Sequence, residues 1–237
     1  MRMLTKIADD IWGFEQDFRL PGGMRLPSRA TLVRLSGGGL LVHSPLAFDA
    51  ATAQAIDALG EVEAIVAPSC IHWLFVEAAS QRWPKARILG APGLEKKMAV
   101  TFEPLPRDGA IAGLGDDLVV RRIDGAPYMT EHAFFHRPSR SLVVTDLMFN
   151  VHRCSFGMQL FLRFVGAYQK TAQSRMWRWL TKDEAAAAAS ANAVLAWDFD
   201  RVVVAHGDVV EADAHPRTRA ALARMTAGAP APRALVA

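Results

Sequence analysis

Short apolar runs of strand length alternate along this chain with segments whose apolar residues recur at helical spacing. The runs at residues 64–67 and 86–89 flank a helical pattern over 75–83, and Pro84 ends that helix. A strand, a helix and a second strand in this order form a unit in which the helix covers the sheet. The alternation therefore predicts an α/β protein with helices packed on a mainly buried sheet.

The alternation of strands and helices continues on both sides of this unit. Further strands are predicted over 30–35, 39–43, 117–123, 132–136, 141–145 and 201–205, helices over 49–59 and 214–225, and a largely helical stretch over about 155–197. Because strands and helices recur in two halves without a linker, we predict one domain over residues 1–226. Its expected form is a layered αββα sandwich with a helical insertion near 151–197. The Ala/Pro-rich tail, 227–237, is predicted to be disordered.

Composition and charge exclude several classes of protein. With 51% hydrophobic and 22% charged residues, the chain is not intrinsically disordered, and two cysteines exclude a disulfide scaffold. A net charge of +3 is too small to indicate a nucleic-acid partner, so none is expected. No run approaches the ~20 apolar residues of a membrane span, and the first residues do not form a signal peptide. We therefore expect no transmembrane segment and a cytoplasmic location.

Four polar residues lie where predicted strands begin or end, and they are His72, Glu131, Asp146 and His206. Functional side chains collect at such strand ends in α/β layers. Two imidazoles and two carboxylates are a plausible shell for one zinc, iron or manganese ion. The alternative is that each residue caps a turn or bonds a neighbouring strand end, without a metal.

The order of these residues resembles the metallo-β-lactamase fold superfamily. The Thr-Asp-Leu-Met-Phe sequence at 145–149 is similar to the superfamily's Thr-Gly-Asp element, and Ala-His-Gly at 205–207 is similar to its last histidine turn. Longer phrases at 34–45, 71–75 and 134–150 resemble the uncharacterised family DUF4336, a divergent branch of that superfamily. The resemblance extends from about residue 11 to residue 206 and implies a metallo-β-lactamase-like sandwich.

The departures from the superfamily pattern limit what the resemblance implies about chemistry. Only His72 remains of the early His-x-His-x-Asp-His loop, and the aspartate of that loop has no counterpart. The resemblance then implies at most one metal ion, with His72, Glu131, Asp146 and His206 as ligands. Glu131 and Asp146 are the predicted catalytic residues, and Glu131 is a fourth ligand or the general base for water.

The predicted function is that of a metal-dependent hydrolase-like protein acting on an unidentified small molecule. The missing loop histidines favour the alternative, a non-catalytic protein of the same fold that binds a ligand or partner and needs no metal. The sequence does not decide between these two hypotheses.

The insertion near 151–197 lies between Asp146 and His206, and the resemblance therefore places it over the mouth of the pocket. Its apolar residues recur at helical spacing, and Arg163, Arg175 and Arg178 add positive charge. One hypothesis is a lid whose arginines hold a carboxylate or phosphate of the substrate. The alternatives are a homodimer interface and a helix on a membrane surface.

His43 and Ser44 end a strand where the superfamily usually places an aspartate that supports the metal loop. The resemblance implies a supporting role for this pair. Because neighbouring residues on a strand face opposite sides, the two residues do not form a catalytic dyad.

Overall fold

A computed structural model describes residues 4–227 of the chain, and two stacked β-sheets form its centre. The first sheet has seven strands in sequence order, antiparallel from β1 to β4 and parallel from β4 to β7. These strands are β1 (Thr5–Ala8), β2 (Ile11–Arg19), β3 (Arg25–Arg34), β4 (Leu40–His43), β5 (Val62–Ala67), β6 (Arg87–Gly90) and β7 (Glu103–Pro104).

The second sheet has five strands, and its order runs from the last strand of the chain back to the eighth. Its strands are β8 (Asp108–Ala110), β9 (Leu118–Arg122), β10 (His132–His136), β11 (Ser141–Val144) and β12 (Arg201–Val204). Only β11 and β12 pair in parallel, so both of their carboxyl ends lie at one edge of the sheet.

The described part of the chain also contains six helices and a short 3₁₀ turn (Pro21–Gly23) between β2 and β3. The helices are α1 (Ala50–Asp57), α2 (Val76–Arg82), α3 (Phe156–Phe164), α4 (Arg175–Leu180), α5 (Glu184–Leu195) and α6 (Ala214–Thr226). Residues of α1 and α2 share a core with one face of the first sheet, and residues of α4, α5 and α6 share a core with the second. The predicted αββα layering is therefore confirmed.

A third core fills the space between the two sheets. Leu41 and Val66 of the first sheet belong to the same buried cluster as Phe134 and Val143 of the second. Every second residue of a strand faces the same side, so His43 and His132 also face this inter-sheet layer. Both histidines are buried.

Backbone hydrogen bonds join the sheets at the edge where the candidate residues lie. The amide of Arg29 in β3 donates to the carbonyl of Ala205 after β12 (2.7 Å), and the amide of His132 donates to the carbonyl of Pro68 after β5 (2.8 Å). The amide of Cys70 donates to the carbonyl of Met129 (2.8 Å). These bonds fix the loop that follows β5 against the second sheet.

Most predicted elements are present with bounds shifted by one or two residues. The predicted hairpin is the antiparallel pair β3–β4, and Gly38 in its turn has a φ of +90°, a conformation that favours glycine. The nine-residue strand β2 and the short strands β1, β7 and β8 were not predicted. The insertion contains three separate helices, α3 to α5.

Two further expectations concern the ends of the chain and membranes. Of the tail predicted over 227–237, all but Ala227 lies outside the described residues. Within residues 4–227, no helix has both the length and the apolar character needed to cross a bilayer.

Candidate metal centre

Three of the four predicted site residues converge at the edge where the sheets are joined. His72 lies in the loop after β5, Asp146 follows β11, and His206 follows β12. One donor atom from each of the three can be chosen so that all lie within 4.8 Å of one another. Nε2 of His72 lies 3.3 Å from Nε2 of His206 and 3.2 Å from Oδ2 of Asp146. Nε2 of His206 lies 3.4 Å from Oδ1 of Asp146.

The other ring nitrogen of each histidine faces an oxygen atom. Nδ1 of His206 lies 3.1 Å from the carbonyl oxygen of Pro27 and 3.3 Å from Oγ of Ser28. Nδ1 of His72 lies 2.7 Å from Oγ of Ser44. A carbonyl oxygen only accepts, so Nδ1 of His206 carries a proton, and in the neutral imidazole Nε2 then presents its lone pair.

The geometry fits a metal ion. Donor atoms around a tetrahedral zinc with bonds of about 2.0–2.1 Å lie about 3.3–3.4 Å apart, close to the separations between the donor atoms of His72, Asp146 and His206. Oδ2 of Asp146 is buried and makes no hydrogen bond, although Nε2 of His72 is nearby. A buried carboxylate oxygen without a bond is costly unless a cation meets it.

The electrostatics of Asp146 agree with this arrangement. Burial by itself would raise the pKa of Asp146, but His72 and His206 outweigh it and hold that pKa well below its usual range. Asp146 is therefore a carboxylate throughout the physiological pH range. It supplies the negative charge that a divalent cation requires.

Neighbouring elements hold Asp146 and His206 in place. The indole Nε1 of Trp177 in α4 donates to the carbonyl of Asp146 (2.7 Å), so the insertion is tied to the site. The ring of Phe149 stacks on His206, with centroids 5.2 Å apart and planes at 13°. Both contacts restrict the orientation of a candidate ligand.

Glu131 lies close by but is not part of the three-residue group. Its Oε1 accepts from the amide of Thr145 (2.7 Å), and its Oε2 is buried without a hydrogen-bond partner. Burial, followed by the negative charge of Asp146, raises the pKa of Glu131 to about 8. At neutral pH this side chain is mostly protonated, so it can donate a proton but is poorly suited to accept one.

Ser44 contacts His72 and not its sequence neighbour His43. Ser44 has a φ of +52°, a left-handed conformation that is uncommon for residues other than glycine. A strained serine bonded to a histidine is a feature of serine hydrolases. The residue after such a nucleophile usually donates its amide to the oxyanion, and here that residue is Pro45, which has no N–H. We therefore assign Ser44 the role of orienting His72.

A cavity of about 360 Å³ opens beside the three candidate ligands. Its walls come from the β2–β3 hairpin, the loops after β4 and β5, and helices α3 and α4. His72, Asp146 and His206 line it together with Ser28 and Ser44. The three predicted ligands are thus accessible to a small molecule.

The arginines of the insertion do not face this cavity. Arg163 lies over the ring of Tyr168, 4.6 Å from its centroid, and Arg175 donates to the carbonyl of Phe164 (2.9 Å). Arg175 and Arg178 instead line a second cavity, which shares only Val165 and Ser174 with the first. The expectation that they hold a substrate anion over the site does not match this placement.

The sequence implies a supporting role for Ser44, the partner of His72, but does not predict the partners of His206. Pro27 and Ser28 belong to the hairpin of β2 and β3, and β2 was not predicted. The bond from Trp177 to Asp146 was not predicted either. No motif around these residues marks them as neighbours of a metal site.

Comparison with protein families gives one match. Residues 8–94 match the family described as Domain of unknown function (DUF4336), which confirms the predicted resemblance for this part of the chain. The match includes His72 and ends before Glu131, Asp146 and His206. No curated protein matches the sequence.

Solved structures with the same architecture are numerous and distant in sequence. A metallo-β-lactamase from Pontibacter korlensis has a TM-score of 0.65 and 15% identity, over 94% of this chain and 99% of that one. The metallo-β-lactamase FIM-1 from Pseudomonas aeruginosa, in its mono-zinc form, has a TM-score of 0.65 and 13% identity, over 95% of this chain and 96% of that one. The Flv1 flavodiiron core from Synechocystis sp. PCC6803 has a TM-score of 0.65 and 14% identity, over 95% of this chain and 61% of that one.

These similarities establish the fold. The chain has the metallo-β-lactamase fold, and its residues 8–94 match the DUF4336 family. Within that fold, His72, Asp146 and His206 form a group that could hold a metal ion.

Proposed function

We propose that this chain is a metal-dependent hydrolase with a mononuclear site formed by His72, Asp146 and His206. The observation that carries the proposal is the convergence of the Nε2 atoms of His72 and His206 with the carboxylate of Asp146. Nδ1 of each histidine faces an oxygen, and the two Nε2 atoms and the Asp146 carboxylate face one another. Lone pairs in this arrangement repel unless a cation lies between them.

The donor set fits zinc, iron or manganese, because it combines two imidazoles with one carboxylate. A bound ion of this kind supplies Lewis acidity and makes water a nucleophile near neutral pH. With three protein ligands, the site keeps room for water and substrate, which is typical of catalytic and not of structural sites.

The chain's own residues have defined tasks in this proposal. Asp146 neutralises part of the charge, Ser44 and Pro27 orient the two imidazoles, and Phe149 covers one face of His206. Glu131, predicted as a fourth ligand or general base, is a positioning residue here, since its carboxyl group accepts from the Thr145 amide next to Asp146.

A second candidate function is non-catalytic binding of a ligand in the same cavity. It is supported by the loss of the superfamily's early histidine loop, of which this chain retains only His72. In that case the positive charge between the histidines is a proton and not a metal ion.

Elemental analysis tests the proposal directly. Protein purified without added metal or chelator is compared with an Asp146→Ala, His206→Ala double variant and with His152→Ala as a control, since His152 lies outside the three-residue group. We expect about one zinc, iron or manganese ion per chain in the wild type and the control, and none in the double variant. Absence of metal from the wild type, with none taken up from supplemented buffer, would overturn the proposal and favour the binding protein.

A further inference from the structure

The cavity beside the candidate metal site is polar at one end and apolar elsewhere. Five of its polar side chains are the three candidate ligands and the two serines that bond to them. Apart from Ser174 and the Trp73 indole, the other lining side chains are aliphatic, aromatic or thioether, and they include Phe18, Leu26, Leu46, Phe75, Met158 and Leu162. A substrate with one reactive polar group and an apolar remainder matches this division.

Among residues 4–227, no lysine or arginine lines the cavity, and Asp146 is the only acidic residue that does. A carboxylate or phosphate of a substrate would therefore enter without a cationic side chain to pair with, at a high desolvation cost. Arg175 and Arg178 of the insertion line the other cavity. The lining therefore favours a ligand whose portion away from the metal end carries no charge.

The mouth of the cavity is apolar as well. Ile71 and Leu74 from the loop after β5, Phe161 from α3 and Met176 from α4 line the cavity and are exposed to solvent. Exposed apolar side chains beside a pocket are typical of ligand entry sites. They allow an apolar chain to extend from the metal end to the surface without meeting a charge.

The volume of the cavity limits the size of the ligand. At about 30 Å³ for a group of the size of water, 360 Å³ holds roughly a dozen non-hydrogen groups. An ester group and an acyl chain of about eight carbons fill this volume.

We infer that the substrate is a neutral carboxylic ester with an apolar acyl group of about eight carbons, a size taken from the cavity volume. This rests on the proposed function and adds the substrate class to it. In the reaction, the oxygen of water bonds to the carbonyl carbon and the bond from that carbon to the alcohol oxygen breaks. One proton of water goes to the alcohol and the other is released as the acid ionises, so no oxidant or reductant is needed.

A series of 4-nitrophenyl esters from acetate to dodecanoate, assayed with the zinc-loaded protein, tests the inference. Burying one more methylene should raise kcat/KM about threefold to fourfold, up to about the octanoate. The 7-carboxyheptanoyl ester has nearly the same length but ends in a carboxylate, and we expect its kcat/KM to be about 100-fold lower than that of the octanoate. Equal kcat/KM for the neutral and the carboxylated ester would overturn the inference.

Two substitutions on α3 provide matched variants. Phe161 lines the cavity, whereas Phe156 is exposed on the same helix and does not. Phe161→Arg should lower kcat/KM for the octanoate about tenfold, and Phe156→Arg should leave it unchanged, because only the first brings a charge to the apolar chain. Both side chains are at least partly exposed, so both variants should fold. Equal losses in the two would contradict the inference.

Binding of methyl ketones separates this inference from the proposed hydrolase function. 2-Decanone is neutral, resembles the ester in length and cannot be hydrolysed, and 9-oxodecanoate is the same methyl ketone with a carboxylate at its far end. If no ester is hydrolysed but calorimetry shows 2-decanone binding more tightly than 2-pentanone and 9-oxodecanoate, the ligand class holds and the hydrolase proposal fails. If esters are hydrolysed at rates independent of chain length, the hydrolase stands and the ligand class is wrong.

Discussion

Nε2 of His72 faces Nε2 of His206 across 3.3 Å, although the two residues are 134 positions apart in the sequence. Each ring is turned this way by an oxygen on its other nitrogen, Ser44 for His72 and Pro27 for His206. In the proposed site, these two Nε2 nitrogens and the buried Asp146 carboxylate face one another, and a cation bound between them would offset the repulsion between their lone pairs.

Metal binding should therefore stabilise the folded protein. At a free zinc concentration of 100 Kd, the free energy of unfolding rises by about 2.7 kcal/mol, or about 5–10 °C in Tm for a chain of this length. Differential scanning calorimetry of chelator-treated protein, with and without zinc, measures this shift. His72→Ala should abolish it and His152→Ala should retain it. A shift of the same size in His72→Ala would show that zinc binds elsewhere.

Ser44 should control metal affinity through His72. Ser44→Ala removes the hydrogen-bond partner of Nδ1 of His72, and loss of such a partner typically weakens metal binding 10- to 100-fold. Ser44→Gly should show the same loss of affinity, but its metal-free form should be about 1 kcal/mol more stable than that of Ser44→Ala, because glycine adopts a left-handed φ without strain. Competition with a zinc indicator and urea denaturation measure the two effects.

A different set of results would show that Ser44 is a nucleophile and does not merely orient His72. Esterase activity that survives complete chelation, together with labelling of Ser44 by a sulfonyl fluoride, would contradict the orienting role. The absence of an amide N–H on Pro45 is the physical reason to expect neither.

Much of the site was predictable because strand ends in a layered fold meet at one edge. His72, Asp146 and His206 each follow a strand that the sequence marks clearly through a run of β-branched and apolar residues. The motif-like sequences around Asp146 and His206 indicated the fold superfamily as well. The sheet pairing then brings together residues that are far apart in the chain.

The contacts of Pro27 and Ser28 were not predictable, since β2 lacks a strand signal in its second half. There Glu15, Asp17 and Arg19 are exposed, so this half of β2 buries little and has no apolar alternation. Without β2, the sequence gives no reason to place the β2–β3 hairpin beside His206.

Residue type also did not reveal the orientation of charged side chains. Glu131 is of a suitable type for a metal ligand, yet its carboxyl group bonds the backbone at Thr145. Arg163 lies on the amphipathic insertion, yet it packs over Tyr168. In both cases the side chain's direction depends on the rotation of its element about its own axis, which tertiary packing sets.

Burial of Glu131 should make stability fall as pH rises. The pKa of Glu131 is about 8 in the folded state, above its ordinary value of 4.5, so the folded state retains a proton that the unfolded state releases. The stabilisation from this group is fully present below pH 4.5 and is lost as the pH rises to about 8. At pH 7 the free energy of unfolding is lower by about 3 kcal/mol than below pH 4.5. Relative to the chelated wild type, Glu131→Gln should therefore gain stability between pH 5 and pH 7.5. A difference that stays constant across this range would contradict the buried, protonated state of Glu131.

Burial of His132 should make the stability of the protein fall as the pH is lowered, which is the opposite direction. Desolvation lowers the pKa of His132 from 6.5 to about 4, outweighing the carbonyls of Pro68 and Thr130, which favour the charged form. As the pH falls below 6.5, His132 is protonated in the unfolded state but stays neutral in the folded state. The free energy of unfolding is therefore lower by about 2 kcal/mol at pH 5 than at neutral pH. The negative charge of Asp124 and the positive charge of Arg122 act on the group in opposite directions and leave this sign unchanged.

His132→Leu tests this effect, because leucine fills the inter-sheet position without a group that titrates. Neither ring nitrogen of His132 makes a hydrogen bond, so the substitution should leave stability at pH 7.5 unchanged or raise it by about 1 kcal/mol. At pH 5 the advantage of the variant should grow by about 2 kcal/mol, measured by urea denaturation at both pH values. Phe134→Leu, two residues along the same strand, is the control and should lose the same stability at both. If the free energy of unfolding falls by the same amount in His132→Leu and in the wild type between pH 7.5 and pH 5, the prediction is wrong. That result would show that His132 is protonated in the folded state.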